Sequence, residues 1–164
     1  MKKTLAELDY QGVRWHKPGF WRNDYELVDS DGSVIATIHQ PSWWWSLVEV
    51  EAVGNRWTFE RKGFWNRYVE IRSAVTGEEP ARFRYNWTGT GQLEYPNGRV
   101  FHWKQGNFWG TKWVWTNDEG EPLVGFHARN GLKLSADISL DPELENSKAP
   151  MLLIFLGWYL VVKH

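Results

Sequence analysis

The sequence predicts an all-β domain with one helix: a twelve-stranded closed antiparallel barrel, built on a threefold pseudo-repeat and enclosing a hydrophobic C-terminal helix. Three observations carry that reading. The 164 residues include 13 Trp, 6 Tyr and 8 Phe, and aromatic residues favour strands. Up to about residue 140 the chain is broken into short aromatic or β-branched runs by Gly, Asn and Asp turns, with almost no helical periodicity. Its last stretch, "APMLLIFLGWYLVVKH" (149–164), carries no charge from Met151 to Val162.

The repeat sets the strand count. "GFW" stands at 19–21 and 63–65 and "NFW" at 107–109, so Phe20, Phe64 and Phe108 are spaced by 44 residues and 44 again. An aromatic precedes each by five positions: Trp15, Phe59 and Trp103. Further on come the turn glycines Gly32, Gly77 and Gly120, followed by "SVIATIH", "EEPARFR" and "EPLVGFH". Independent features that keep one phase mark a structural repeat. Each unit divides into four strands, at about 12–17, 24–29, 33–39 and 46–53, then 56–61, 67–73, 81–86 and 91–95, then 99–104, 112–116, 122–128 and 131–139. Turns such as "DSDGS", "VTGEE", "YPNGR" and "TNDEGE" supply the Gly and Asn that tight hairpins need.

A β-trefoil also has three units of four strands and is the alternative fold. The chain end decides between the two, because a trefoil is complete at the twelfth strand and 24 residues remain here after 140. Asp141 before Pro142, and Ser147 shortly before Pro150, are helix-start signals. The twelve uncharged residues span about 18 Å as a helix, against roughly 30 Å of bilayer hydrocarbon. A helix apolar on every face must be buried on every face, and a barrel of twelve strands is wide enough to need filling. The terminal helix therefore plugs the barrel, with Gly157 placed to let a large ring approach its backbone. The expected layout is a single domain over 1–164, with strands over about 12–139 and the core helix over about 149–163.

This arrangement resembles the Tubby C-terminal-like superfamily, which includes the phospholipid scramblase-like and LURP-one-related proteins. The residues carrying the resemblance are the strand, "DGS" or "EGE" turn, strand pattern of the units and the ending "PMLLIFLGWYLVV". The resemblance implies a binding or adaptor module without enzymatic chemistry, in some members a phosphoinositide or phospholipid binder. The lipid-binding basic pair of the Tubby proteins has no counterpart that can be matched to a residue of this chain.

Read from the residues alone, the function class is a binding module. A net charge of −1 gives no general attraction to nucleic acid, and the lack of cysteine excludes disulfides and thiolate metal sites. The start "MKKTLAELDY" reaches Glu7 and Asp9 before any apolar core of a signal peptide forms, so a cytoplasmic protein, possible at a membrane periphery, is expected. No nucleophile elbow, phosphate loop or zinc-protease motif occurs, and no enzyme activity, cofactor or metal is expected. His39 and His127 share a repeat position with Arg84, which repeat inheritance explains better than a metal site. "DSDGS" lacks the later carboxylates of a calcium loop and reads as a hairpin turn.

In an up-and-down barrel alternate turns share one end. Trp21, Trp65, Trp109, Trp43, Trp44, Trp45 and Trp87 are thereby expected at one rim, either folded inward as a cork or standing outward as a platform. Trp favours the headgroup level of a membrane, and nearby cations attract anionic lipid. The candidate ligand-binding residues are Trp44, Arg61, Lys62, Arg67, Lys17, Arg22 and Lys112. The partner is an anionic phospholipid or membrane surface, or alternatively another protein. A carbohydrate stacked on exposed tryptophans is a third reading.

Overall fold

The computed structural model describes residues 12–19, 21–41, 46–52, 54–106, 112–129, 134–144 and 149–163. The strands are β1 (Arg14–His16), β2 (Asp24–Val28), β3 (Val34–His39), β4 (Leu47–Ala52), β5 (Asn55–Lys62) and β6 (Tyr68–Ser73). They continue with β7 (Arg82–Tyr85), β8 (Gly91–Glu94), β9 (Val100–Gln105), β10 (Lys112–Thr116), β11 (Pro122–Arg129) and β12 (Ser135–Leu140). A 3-10 turn at Pro142–Leu144 precedes the helix α1 (Ala149–Lys163). Each strand pairs antiparallel with its sequence neighbours, and β1 closes on β12. A single closed barrel replaces the trefoil alternative. The threefold pseudo-repeat remains a property of the sequence pattern.

The strands lie where apolar and polar residues alternate. In β4, Val48, Val50 and Ala52 are buried while Glu49 and Glu51 are exposed, because successive side chains point to opposite faces. The first strand is shorter than its apolar run suggests. Gly12 takes a φ of +87°, and a Cβ there would lie 3.3 Å from the Ser30 side chain, so the extended backbone begins only beyond it. The "DSDGS" segment is a hairpin turn: Asp29 Oδ1 accepts hydrogen bonds from the Asp31 and Ser33 amides at 3.0 and 2.9 Å.

The helix occupies the barrel axis. Met151, Leu153, Ile154, Phe155, Leu156, Trp158, Tyr159 and Leu160 are all buried. Trp15 stacks on Trp158 at 5.8 Å between ring centroids and meets Phe155 edge-on. Phe59 meets Tyr159 edge-on at 5.9 Å, and Trp103 stacks on Trp113 while touching Trp115 and Phe126. At Gly157 a Cβ would collide with the Phe126 ring and lie 2.9 Å from Trp115 Nε1. That same indole donates a hydrogen bond of 2.9 Å to the Leu153 carbonyl, one turn earlier. The missing side chain at Gly157 thus lets Trp115 reach the helix backbone, as the sequence suggested.

The outer wall is a ladder of charges. Glu70 accepts from Lys62 at 3.0 Å and from Arg72 at 2.9 Å, Arg82 pairs with Glu79, and Arg84 pairs with Glu94. Strands of three to eight residues with charged outward faces differ from the nine-to-eleven-residue strands and outward apolar band of a membrane-spanning barrel. Among the described residues no helix is long and apolar enough to cross a membrane.

Candidate functional site

Sequential antiparallel pairing puts the connections after β1, β3, β5, β7, β9 and β11 at one end of the barrel. The exposed large aromatics among the described residues fall there. Trp21 follows β1 and is 99% exposed, Phe64 and Trp65 follow β5 at 84% and 83%, and Trp87 follows β7 at 95%. Among the described residues the comparable one at the opposite end is Val75. Single exposed apolar side chains are ordinary, whereas their segregation to one end is a mark of an interaction surface. The described rings stand outward, so the inward cork expected as one possibility does not apply to Trp21, Trp65 or Trp87. Trp43, Trp44, Trp45 and Trp109 lie outside the described residues.

Local geometry holds these rings out. Gly63, at a φ of +83°, has its Cβ position filled by the Asn66 carbonyl. The tight turn this permits pushes Phe64 and Trp65 outward, with Phe64 edge-on to Trp65 at 5.3 Å. Trp87 sits at the tip of a turn closed by Asn86 N–H to the Thr90 carbonyl at 2.7 Å and braced by the Thr88 and Thr90 hydroxyls at 2.9 Å.

The helix ends at this rim. Tyr159 donates from its hydroxyl to the Ser46 carbonyl at 2.9 Å, which ties the C-terminal part of α1 to the segment entering β4. Arg61 shares the inward register of Trp57 and Phe59, and Arg67 that of Val69 and Ile71. Both arginines are exposed at this end of the barrel, and the Arg67 guanidinium lies 5.9 Å from the Tyr85 ring centroid. Burial, and secondarily the nearby Arg61 charge, lowers the pKa of Lys163. Burial pushes the Tyr85 phenol up to about 12, although Arg61 and Arg67 oppose the shift.

The other candidates are distributed differently. Lys62 has the opposite parity from Arg61 and turns onto the outer wall, 3.0 Å from Glu70 and 3.4 Å from Glu60. Arg72 first and Lys62 second hold the Glu70 carboxyl at about 2. Lys17 and Arg22 lie on the β1–β2 connection, with no ion pair among the described residues. Lys112 opens β10, opposite His127. Trp44 lies outside the described residues. The sequence singled out Arg61, Lys62 and Arg67 as one basic group, and the structure keeps the two arginines together while engaging the lysine elsewhere. Tyr85 and Lys163 were missed. A cation in the last turn of the helix was the available signal for Lys163, and nothing local marks Tyr85.

No protein-family model, curated protein or solved structure matches this chain.

Proposed function

We propose that this barrel is a non-enzymatic binding module that docks its aromatic rim on an anionic phospholipid surface at the cytoplasmic face of a membrane. The observation that carries the reading is the grouping of Trp21, Phe64, Trp65 and Trp87 at the end that also bears Arg22, Arg61 and Arg67. Indole rings partition to headgroup depth, and each cation near an anionic surface adds about 1 kcal/mol. Neither signal holds a domain on a bilayer by itself, so stable docking takes both. The resemblance to the Tubby C-terminal-like proteins belongs to this proposal, as does the lipid-binding role it implies.

The test is co-sedimentation with phosphatidylcholine vesicles containing phosphatidylserine, comparing the wild type with Trp65→Ala/Trp87→Ala. Both rings are exposed, so the variant is expected to melt like the wild type. It is expected to pellet at least about tenfold more weakly, from the loss of two interfacial anchors. A folded wild type that does not pellet at low salt would overturn the membrane reading. The same rings suit a protein partner, since Trp and Arg dominate binding hot spots, and that reading would then take its place.

A further inference from the structure

We infer that the rim of the barrel at its mouth holds a site for a tetrahedral oxyanion of the phosphate class, formed by Arg61, Arg67 and Tyr85. This deepens the rim proposal and rests on it only for the source of the ligand. The three residues occupy neighbouring positions at the rim, the two arginines exposed and Tyr85 half-buried between them and the core. Arg61 pairs across the sheet with Val69, two residues beyond Arg67, and the Tyr85 amide donates to the Arg67 carbonyl at 3.1 Å. Side chains so related on one face of a sheet are within reach of a common ligand.

The chemistry of the group selects the ligand. Guanidinium has five donors and no acceptor. The Tyr85 phenol is protonated at neutral pH, as any tyrosine is, and makes no hydrogen bond among the described residues. Arg61 and Arg67 make no ion pair among the described residues either. The nearest carboxylate along the strand, Glu60, turns outward to Lys62 at 3.4 Å. Three donor side chains without an acceptor partner among the described residues call for one from a ligand. Donors arriving from β5, β7 and the turn between β5 and β6 match several oxygens arranged around one centre better than the two coplanar oxygens of a carboxylate.

An alternative role for the cations is compensation of the helix carboxyl end, which lies at this mouth. That end carries about half a negative charge. Two arginines exceed it roughly fourfold, leaving net positive charge for a ligand.

The experiment uses vesicle-free protein and inorganic phosphate, so that its failure is distinct from a failure of membrane docking. Arginine Nε–H signals are followed by nuclear magnetic resonance at constant ionic strength, with chloride as the control. Saturable shifts at Arg61 and Arg67 with phosphate and not with chloride are expected. Arg61→Gln/Arg67→Gln should weaken the response, read at the backbone amides of the mouth, at least about tenfold. Tyr85→Phe should weaken it less. Equal shifts with chloride, or an undiminished response in a double variant that melts like the wild type, would overturn the site. Glycerol phosphate and a short-chain phosphatidic acid then identify the source. Tighter binding of the lipid supports a headgroup, and equal binding supports a soluble phosphate compound. A phosphate response retained in Trp65→Ala/Trp87→Ala would show that the mouth works independently of the aromatic anchors.

Discussion

Two residues show how much single atoms decide here. Gly157 has no room for a methyl group, because Phe126 and the Trp115 indole fill that space and Trp115 uses the approach to reach the Leu153 carbonyl. Gly157→Ala gains helix propensity but overpacks the core, and a net loss of about 1–3 kcal/mol is expected. Thermal unfolding of the variant checks it, and an unchanged midpoint would mean that the ring contacts are not tight. Glu70 makes its contribution through charge. Its carboxyl, held at about 2 by Arg72 and Lys62 against an ordinary 4.5, stabilises the fold fully above the ordinary value. That contribution is lost as the pH falls through 4.5 towards 2. Glu70→Gln should therefore cost on the order of 1 kcal/mol at neutral pH, the partners being half exposed, and the gap from wild type should close across that window. A gap that stays constant down to pH 2 would exclude the charge as its cause.

The decisive element is α1. Its buried side chains between Met151 and Leu160 form the axial partner of the inward faces of the strands. Eight large buried side chains at about 1.5–3 kcal/mol each match or exceed the roughly 5–15 kcal/mol by which domains are stable. Deletion of 149–164 is accordingly expected to abolish the native fold. The near-ultraviolet circular dichroism of the stacked Trp15–Trp158 and Trp103–Trp113 pairs should vanish. A truncated protein that keeps a cooperative melt would show that the barrel closes without its plug.

For the whole molecule, closure divides the surface into a charged wall and two unlike ends. The wall spends its charges on itself, as in Lys62–Glu70–Arg72 and Arg84–Glu94, while the rim carries aromatic rings beside arginines. With a net charge of −1, any attraction to an anionic surface comes from this local asymmetry. Docking should place the barrel axis upright on the bilayer and weaken steeply with salt, since exposed charges are screened within about 8 Å at physiological ionic strength. Vesicle pelleting across a salt series checks this. Salt-independent pelleting would assign the binding to the rings alone.

The sequence by itself determined the strand count, closure and plug of this protein. Aromatic runs between Gly and Asn turns delimit all twelve strands to within a few residues, and the uncharged ending matches α1 at Ala149–Lys163. These are local signals: the period of burial, the chemistry of turns, and an apolar segment too uniform to face water on any side. The candidate site was legible only in part. Parity along β5 separates Arg61 from Lys62, but which parity faces the lumen depends on register with β4 and β6. The pairing of Lys62 with Glu70 and the meeting of Arg67 with Tyr85 join residues on different strands. Whether Trp21, Trp65 and Trp87 cork the mouth or stand outside it was likewise a tertiary outcome. The axis was already filled by α1, and the turn at Gly63 is closed by the Asn66 carbonyl beside the exposed Phe64 and Trp65.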